Sequence, residues 1–407
     1  MTTQINATLT VSRFWPARGG SEMHSRELAH ALTRAGHDIQ VICHSSTDTE
    51  PTELALTRES SIAQQDGHCM VYRECPTGPK RQALRLLALN HQRFRSVRPL
   101  FDQLLRTFST RTIQRRSANA QVIHSIYNGL TSVAESSLAA ARNQGVPFIW
   151  SPLANTDLPQ GLGWSSRRFR KLYQEADALI ALTRHEQEWL VAQGAPQERT
   201  FVCPMGPMVA SPSPVGEFRK RHSIGNDPYV LFLGRHDEAK GYQRLLQAAD
   251  FIWRSRPDTR LVFIGPQTEL SRASFQEHTD PRITVIEEIS QADKNAALAG
   301  CELLCVPSDK ESLGVVYLEA WHYRKPVVAL DIPVLQSVIS HGVDGLLCRS
   351  DSTDLARAVI RLLAEPAYRQ HLGEAGHNKL ERDYSWPSIV QKHQEIYAFA
   401  LATPKPA

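Results

Sequence analysis

Arg235 and Lys240 stand five residues apart in the run FLGRHDEAKG, residues 232–241, directly after the apolar stretch 229–233. Glu311 and Glu319 stand eight apart in PSDKESLGVVYLEA, residues 307–320, directly after a second apolar stretch, 303–306. Cations at the carboxyl end of a buried strand stand where the ligands of such sheets bind. Two carboxylates in the equivalent place can likewise reach a ligand. Spacing alone fits a blander reading as well: a basic pair in a turn, and two glutamates on a loop and a helix, are usually solvated.

The elements that carry these residues follow from the pattern around them. Residues 303–306 end at Pro307, a polar turn follows, and 315–323 is helix-compatible and free of Gly and Pro. Pro326 stops that helix, and 327–330 begins another short apolar run of the kind that fills a buried parallel strand. The segment therefore predicts a β-α-β crossover, with Glu311 in its loop and Glu319 in its helix, both near the carboxyl ends of strands where such sheets bind ligands. Gly314, between them, marks a sharp turn or a close backbone approach. Residues 229–253 repeat the layout as strand 229–233, loop 234–241 opened by Gly234, and helix 242–253; strands at 261–265 and 283–286 and a helix at 293–298 follow.

The first half has the same rhythm. Strand 7–12 leads into the turn ARGGSE, then a helix over 21–35 capped by Ser21 and closed by Gly36, then strand 38–43. Gly19 and Gly20 sit at the helix start, where free N–H groups and the positive dipole end can hold an anion, although a Gly-Gly pair is also simply a turn. Further strands are read at 121–125, 146–150 and 178–182. His124 ends the first of them, and a lone histidine is more often structural than catalytic. Residues 80–116 hold ten basic side chains against one acid, Asp102, interleaved with leucines and phenylalanines. That segment reads as one or two surface helices, with docking on anionic lipid as the alternative. CPMGPMVASPSPVG, residues 203–216, carries four prolines and marks a linker. Ser385-Trp386-Pro387 opens a last helix to about residue 401.

Length suits two domains of about 200 residues. The formal charge of +4, with a pI near 8.7, indicates neither a general nucleic-acid binder nor an acidic tail. Seven scattered cysteines without a C-x-x-C unit argue for reduced thiols and a cytoplasmic location, and no zinc site is expected at Cys301 and Cys305. The N-terminal residues lack the apolar core of a signal peptide, and no apolar run approaches the roughly 18 residues of a membrane span, so membrane association is expected to be peripheral. The strings G-x-G-x-x-G and G-x-x-x-x-G-K-[ST] are both missing, which speaks against a nucleotide-binding dehydrogenase and a P-loop enzyme.

The run P-S-x-x-E-S-x-G-x-x-x-x-E-A over 307–320, together with G-R-x-x-x-x-K-G over 234–241 and G-G-x-E over 19–22, resembles the signatures of the retaining glycosyltransferases of family four. The resemblance implies an α/β fold of the GT-B class, with two Rossmann-like doubly wound domains facing across a cleft. The expected division is an acceptor-binding domain at 1–203, a linker at 204–216 and a nucleotide-sugar-binding domain at 217–385, with helix 386–401 packing back on the first domain. It implies a retaining hexosyltransferase taking GDP- or UDP-hexose to a lipid-linked or oligosaccharide acceptor in bacterial exopolysaccharide or lipopolysaccharide synthesis, at the inner face of the plasma membrane, with peripheral contact through 80–116. Arg235 and Lys240 would neutralise the diphosphate, and Gly19, Gly20, Gly234 and the backbone of Leu313, Gly314 and Val315 would lie beside it. Glu311 would bind the hexose, Glu319 the ribose, and His124 would stand with Arg235, Lys240 and Glu311 as catalytic. No cofactor is implied, and no metal, since no D-x-D stretch occurs. The chain departs from the family where one histidine position holds Ile126, where S-P-H-G reads Ser151-Pro152-Leu153-Ala154, and where Asn-Gly reads Met205-Gly206. Those departures leave a non-catalytic binding or assembly partner of the same fold as the alternative, beside a sugar-nucleotide epimerase.

Overall fold

The computed structural model describes residues 4–17, 19–45, 61–91, 97–157 and 160–403. The chain forms two compact units, Met1–Pro204 with Ile389–Ala407, and Met205–Ser388.

Unit 1 begins with β1 (Asn6–Thr10), α1 (Gly20–Arg34), β2 (Asp38–Cys43), β3 (Ile62–Asp66) and β4 (Cys69–Arg73). Two helices follow, α2 (Gly78–His91) and α3 (Arg98–Arg116). Then come β5 (Val122–Ile126), α4 (Thr131–Gln144), β6 (Phe148–Ser151), α5 (Arg167–Glu175), β7 (Ala178–Ala181), α6 (Arg184–Ala192) and β8 (Thr200–Val202). The sheet order is β3-β4-β2-β1-β5-β6-β7-β8, parallel throughout except that β3 runs against β4. Every residue of β5, β6 and β7 is buried, as expected where helices cover both faces and the strands read as unbroken apolar runs. Trp150 from β6 stacks on Tyr173 from α5 at 5.2 Å between ring centroids.

The β3–β4 hairpin is a strand pair that the sequence pattern does not announce, because IAQQD is a polar edge strand with little apolar signal. The expected cap at Ser21 is corrected too. Gly19 occupies the N-cap of α1 without a side-chain bond, and the Ser21 hydroxyl donates to Glu22 instead.

Unit 2 opens with α7 (Val215–Arg221), β9 (Tyr229–Leu233), α8 (Tyr242–Ser255), β10 (Arg260–Ile264), α9 (Glu269–Glu277) and β11 (Ile283–Ile286). It continues through α10 (Gln291–Gly300), β12 (Leu303–Val306), α11 (Val315–His322), β13 (Val327–Leu330), α12 (Pro333–Gln336) and β14 (Gly345–Cys348). Two helices close it, α13 (Ser352–Ala364) and α14 (Pro366–Lys379). The six strands are all parallel in the order β11-β10-β9-β12-β13-β14. The proline-rich stretch before α7 is tied to this unit from Ser213, whose N–H donates to Ala292 O and whose hydroxyl donates to Asp293. The last helix, α15 (Trp386–Ala402), supplies its residues from Ile389 onward to unit 1.

Candidate active site

In unit 2 the strand order reverses between β9 and β12, whose neighbours β10 and β13 lie on opposite sides, and a doubly wound sheet opens its ligand crevice at such a point. The loops leaving those two strands hold Arg235, Lys240 and Glu311. They are sewn together. Ser308 Oγ–H and Asp309 N–H both donate to Ala239 O, at 2.9 and 3.0 Å. Arg244, on the first turn of α8, spans the seam by donating to Asp309 at 2.7 Å and to Pro307 O at 3.2 Å. Gly241 makes the approach possible: its φ is +76°, and a Cβ there would stand 2.1 Å from Pro307 O.

Across this seam Lys240 Nζ donates to Glu311 Oε1 at 2.6 Å, the carboxylate side chain being 7% exposed and the lysine 28%. A cation expected to meet phosphate and a carboxylate expected to meet sugar are thus a single ion pair. Arg235 stands beside them with 71% of its side chain exposed, held among the described residues by Asp237 at 2.9 Å. Its guanidinium keeps most of its donors turned to solvent, as an anion site needs. Behind Arg235, His236 is wholly buried among Phe232, Tyr242, Phe263 and Phe275. Neither of its ring nitrogens has a partner among the described residues, and burial pulls its pKa down to about 4, so it is neutral packing for the loop.

Gly314 is the N-cap of α11 at φ +81°, placing Leu313, Gly314 and Val315 at a helix start whose first N–H groups lack helical partners. Tyr317 anchors that turn by donating to Val306 O at 2.7 Å. Further along α11, Glu319 is 5% exposed and accepts from Lys294 Nζ at 2.8 Å, while Lys294 also donates to Met208 O. Burial raises the Glu319 pKa above the ordinary carboxylate range and Lys294 opposes that shift.

In unit 1 the strand order reverses between β1 and β5. Gly19 and Gly20 start α1 after β1, and a Cβ on Gly19 would lie 2.2 Å from Glu22 Oε2. Glu22 is buried and pairs with Arg13 at 3.1 Å, while Asn128 Oδ1, from the loop after β5, accepts from Ser12 N–H at 2.7 Å. His124 calls for a correction. Its side chain is wholly buried, with Nδ1 at 2.9 Å from the Tyr397 hydroxyl and Nε2 at 2.8 Å from Ser151 Oγ. Burial, with His393 and His24 nearby, holds its pKa well below the usual histidine value. It is a core residue and presents no atom to a ligand.

Lys294, Arg244 and Asn128 escape a reading of the sequence because each acts through a partner far along the chain. The one local signal was the helix start at Tyr242, which puts Arg244 beside the loop that it braces.

A family model described as "Glycosyl transferase 4-like domain" matches residues 19–206, and one described as "Glycosyl transferases group 1" matches residues 215–379. The chain is 27% identical over 384 residues to D-inositol 3-phosphate glycosyltransferase of Pseudarthrobacter chlorophenolicus, covering 88% of this chain and 85% of that protein. It is 26% identical over 400 residues to glycogen synthase of Mycobacterium tuberculosis, covering 94% and 91%. Among solved structures it is similar to Anabaena HepE in complex with UDP and glucose, with a TM-score of 0.70 at 17% identity over 97% of this chain and 99% of that one. Sucrose-phosphate synthase from Thermosynechococcus elongatus superposes with a TM-score of 0.72 at 19% identity, over 97% and 98%. With one family model on each unit and full-length structural neighbours of the same two-domain fold, the chain belongs to the family 4 glycosyltransferases of the GT-B class.

Proposed function

We propose that the chain is a retaining hexosyltransferase that moves a hexosyl group from GDP- or UDP-hexose to a lipid-linked or oligosaccharide acceptor during synthesis of a bacterial cell-surface polysaccharide. The observation that carries this reading is the Lys240–Glu311 pair beside the exposed Arg235, where β9 and β12 part. In this reading the diphosphate binds Arg235 and Lys240 and the N–H groups around Leu313, Gly314 and Val315, while Gly234 lets the loop pass close. Glu311 then turns from Lys240 toward a hexose hydroxyl, and Glu319, steadied by Lys294, takes the ribose. The neighbour solved with UDP and glucose supports a nucleotide-sugar donor.

The step needs no protein nucleophile, unlike a retaining hydrolase. The bond from the anomeric carbon to the diphosphate oxygen breaks as the bond to the acceptor oxygen forms on the same face. The acceptor proton passes to the departing phosphate, and the passing state has oxocarbenium character. Arg235 and Lys240 stabilise the charge that collects on the diphosphate, so no metal is required.

The acceptor side of the proposal draws on α2 and α3. Leu86, Leu89 and Leu100 are 63%, 60% and 56% exposed, and Lys80, Arg85 and Arg98 are exposed beside them, a mixture that suits peripheral docking on anionic lipid. Titrating the chain with UDP-, GDP- and ADP-hexoses while following its melting temperature identifies the donor. Labelled donor is then offered with lipid-linked and free oligosaccharide acceptors, and the expected outcome is transfer with the anomeric configuration kept. Isomerised donor in the absence of acceptor would instead make the chain an epimerase.

A further inference from the structure

The loop that leaves β6 holds a shape its residues would not choose unaided. Leu153 has φ +48°, in the left-handed region that bulky residues avoid, and it is 8% exposed. Such outliers persist only where the surroundings over-determine them. Several bonds do so here. Tyr127 N–H donates to Ser151 O at 2.9 Å, and Trp164 Nε1–H donates to Pro152 O at 2.8 Å. Ala154 N–H donates to Glu186 Oε1 at 2.6 Å, and Glu186 Oε2 accepts from Leu182 N–H at 2.7 Å. One carboxylate, 2% exposed, therefore joins the loop after β6 to the end of β7.

The bonding favours the ionised form. Both partners are N–H donors, so a protonated carboxyl meets one of them with only the weaker acceptor of its hydroxyl oxygen and adds an O–H that neither partner accepts. Burial pushes the Glu186 pKa up to about 7, against the two N–H bonds, and among the described residues no cation offsets it. Tyr173 faces it from α5, and His185, next to it on α6, turns to Thr156 Oγ1 at 3.2 Å.

We propose that Glu186 is a positioning residue for sugar transfer: it holds residues 152–155, at the carboxyl edge of the unit 1 sheet, in the shape that receives the acceptor. The inference rests on the transferase reading above. It gives the loop its function through backbone placement, with Leu153 in a strained turn.

The test compares the full-length wild type with Glu186→Gln on either side of pH 7, by hydrogen exchange at residues 153–156, corrected for the intrinsic rate, and by steady-state transfer. In the wild type, loop protection and kcat/KM should fall together as pH drops through about 7. In Glu186→Gln both should be low at every pH, with kcat/KM reduced on the order of tenfold and nucleotide affinity unchanged. Full protection in the variant, or lost protection with unaltered kcat/KM, would overturn the proposal. The wild-type pH series needs no variant, so a variant that does not fold leaves the test intact. A wild type that transfers no sugar would overturn the transferase reading and the proposal with it, a failure told apart by nucleotide binding and loop exchange measured without acceptor.

Discussion

The two units share a topology and differ in how they spend polar groups at the carboxyl edge of the sheet. Unit 2 keeps charge there: Lys240 with Glu311, Lys294 with Glu319, and an arginine turned to solvent. Unit 1 buries its polar groups, the Arg13–Glu22 pair and the Glu186 carboxylate together with a cluster of histidines. His24, His124 and His393 are buried within one neighbourhood, and the Cys203 thiol lies 3.3 Å from His393 Nδ1. A doubly wound sheet alone does not specify chemistry; the same reversal of strand order carries a seam of ion pairs in one unit and a buried, hydrogen-bonded scaffold in the other.

The largest effects should come from unit 2. Arg235→Ala and Lys240→Ala should each lower kcat on the order of a hundredfold, read by initial-rate transfer assays. The two should differ in stability. Arg235 is mostly exposed, so its loss should leave the melting temperature unchanged, whereas losing Lys240 strands the Glu311 carboxylate and should lower it. Equal melting temperatures for the two variants would break the contrast between an open cation and a paired one.

Next in size is Lys294→Met. It leaves Glu319 buried without its cation and should cost about 2 kcal/mol in denaturant unfolding, less than a fully enclosed pair because both side chains keep some exposure. Glu319→Gln should be gentler on stability and should weaken nucleotide-sugar binding.

Unit 1 should show itself by pH. His393 is pulled down from 6.5 to about 4 and His24 to about 3, chiefly by burial. The unfolded chain therefore binds protons that the folded unit refuses, and stability should fall as pH drops from 6.5 toward 4. Glu186 acts in the opposite sense, since its raised pKa makes folded protein the better proton binder between about 4.5 and about 7. His393→Gln should flatten the acid loss and Glu186→Gln should steepen it, measured by unfolding at a series of pH values. The smallest expected effect is none: transfer rates should survive a chelator, and strict dependence on added manganese or magnesium would end the metal-free reading.

Unit 2 was legible because its chemistry is written locally. Gly234, Arg235, Lys240 and Gly241 occupy one loop, Glu311 and Gly314 the next with Glu319 on the helix that follows, and strands such as 229–233 and 303–306 end where the apolar letters end. The Lys240–Glu311 bond was not legible, since it joins loops 71 residues apart that only strand order makes neighbours. Unit 1 is the harder text. Whether His124 faces ligand or core depends on Tyr397, 273 residues away, and no spacing rule reaches that far. The polar β3 strand and the Gly19 cap were missed for a different reason: pattern reading favours apolar periodicity and side-chain caps, and these sites use neither.

Unit 1 is encoded in two separate passages, with all of unit 2 between them. On a ribosome the partner of His124 therefore emerges only after some 180 residues of another domain. A nascent chain halted anywhere before residue 389 carries an unfinished first domain, and a gene cut at residue 204 cannot yield that domain whole. Anyone wishing to express it alone would have to graft residues 389–403 back onto the fragment.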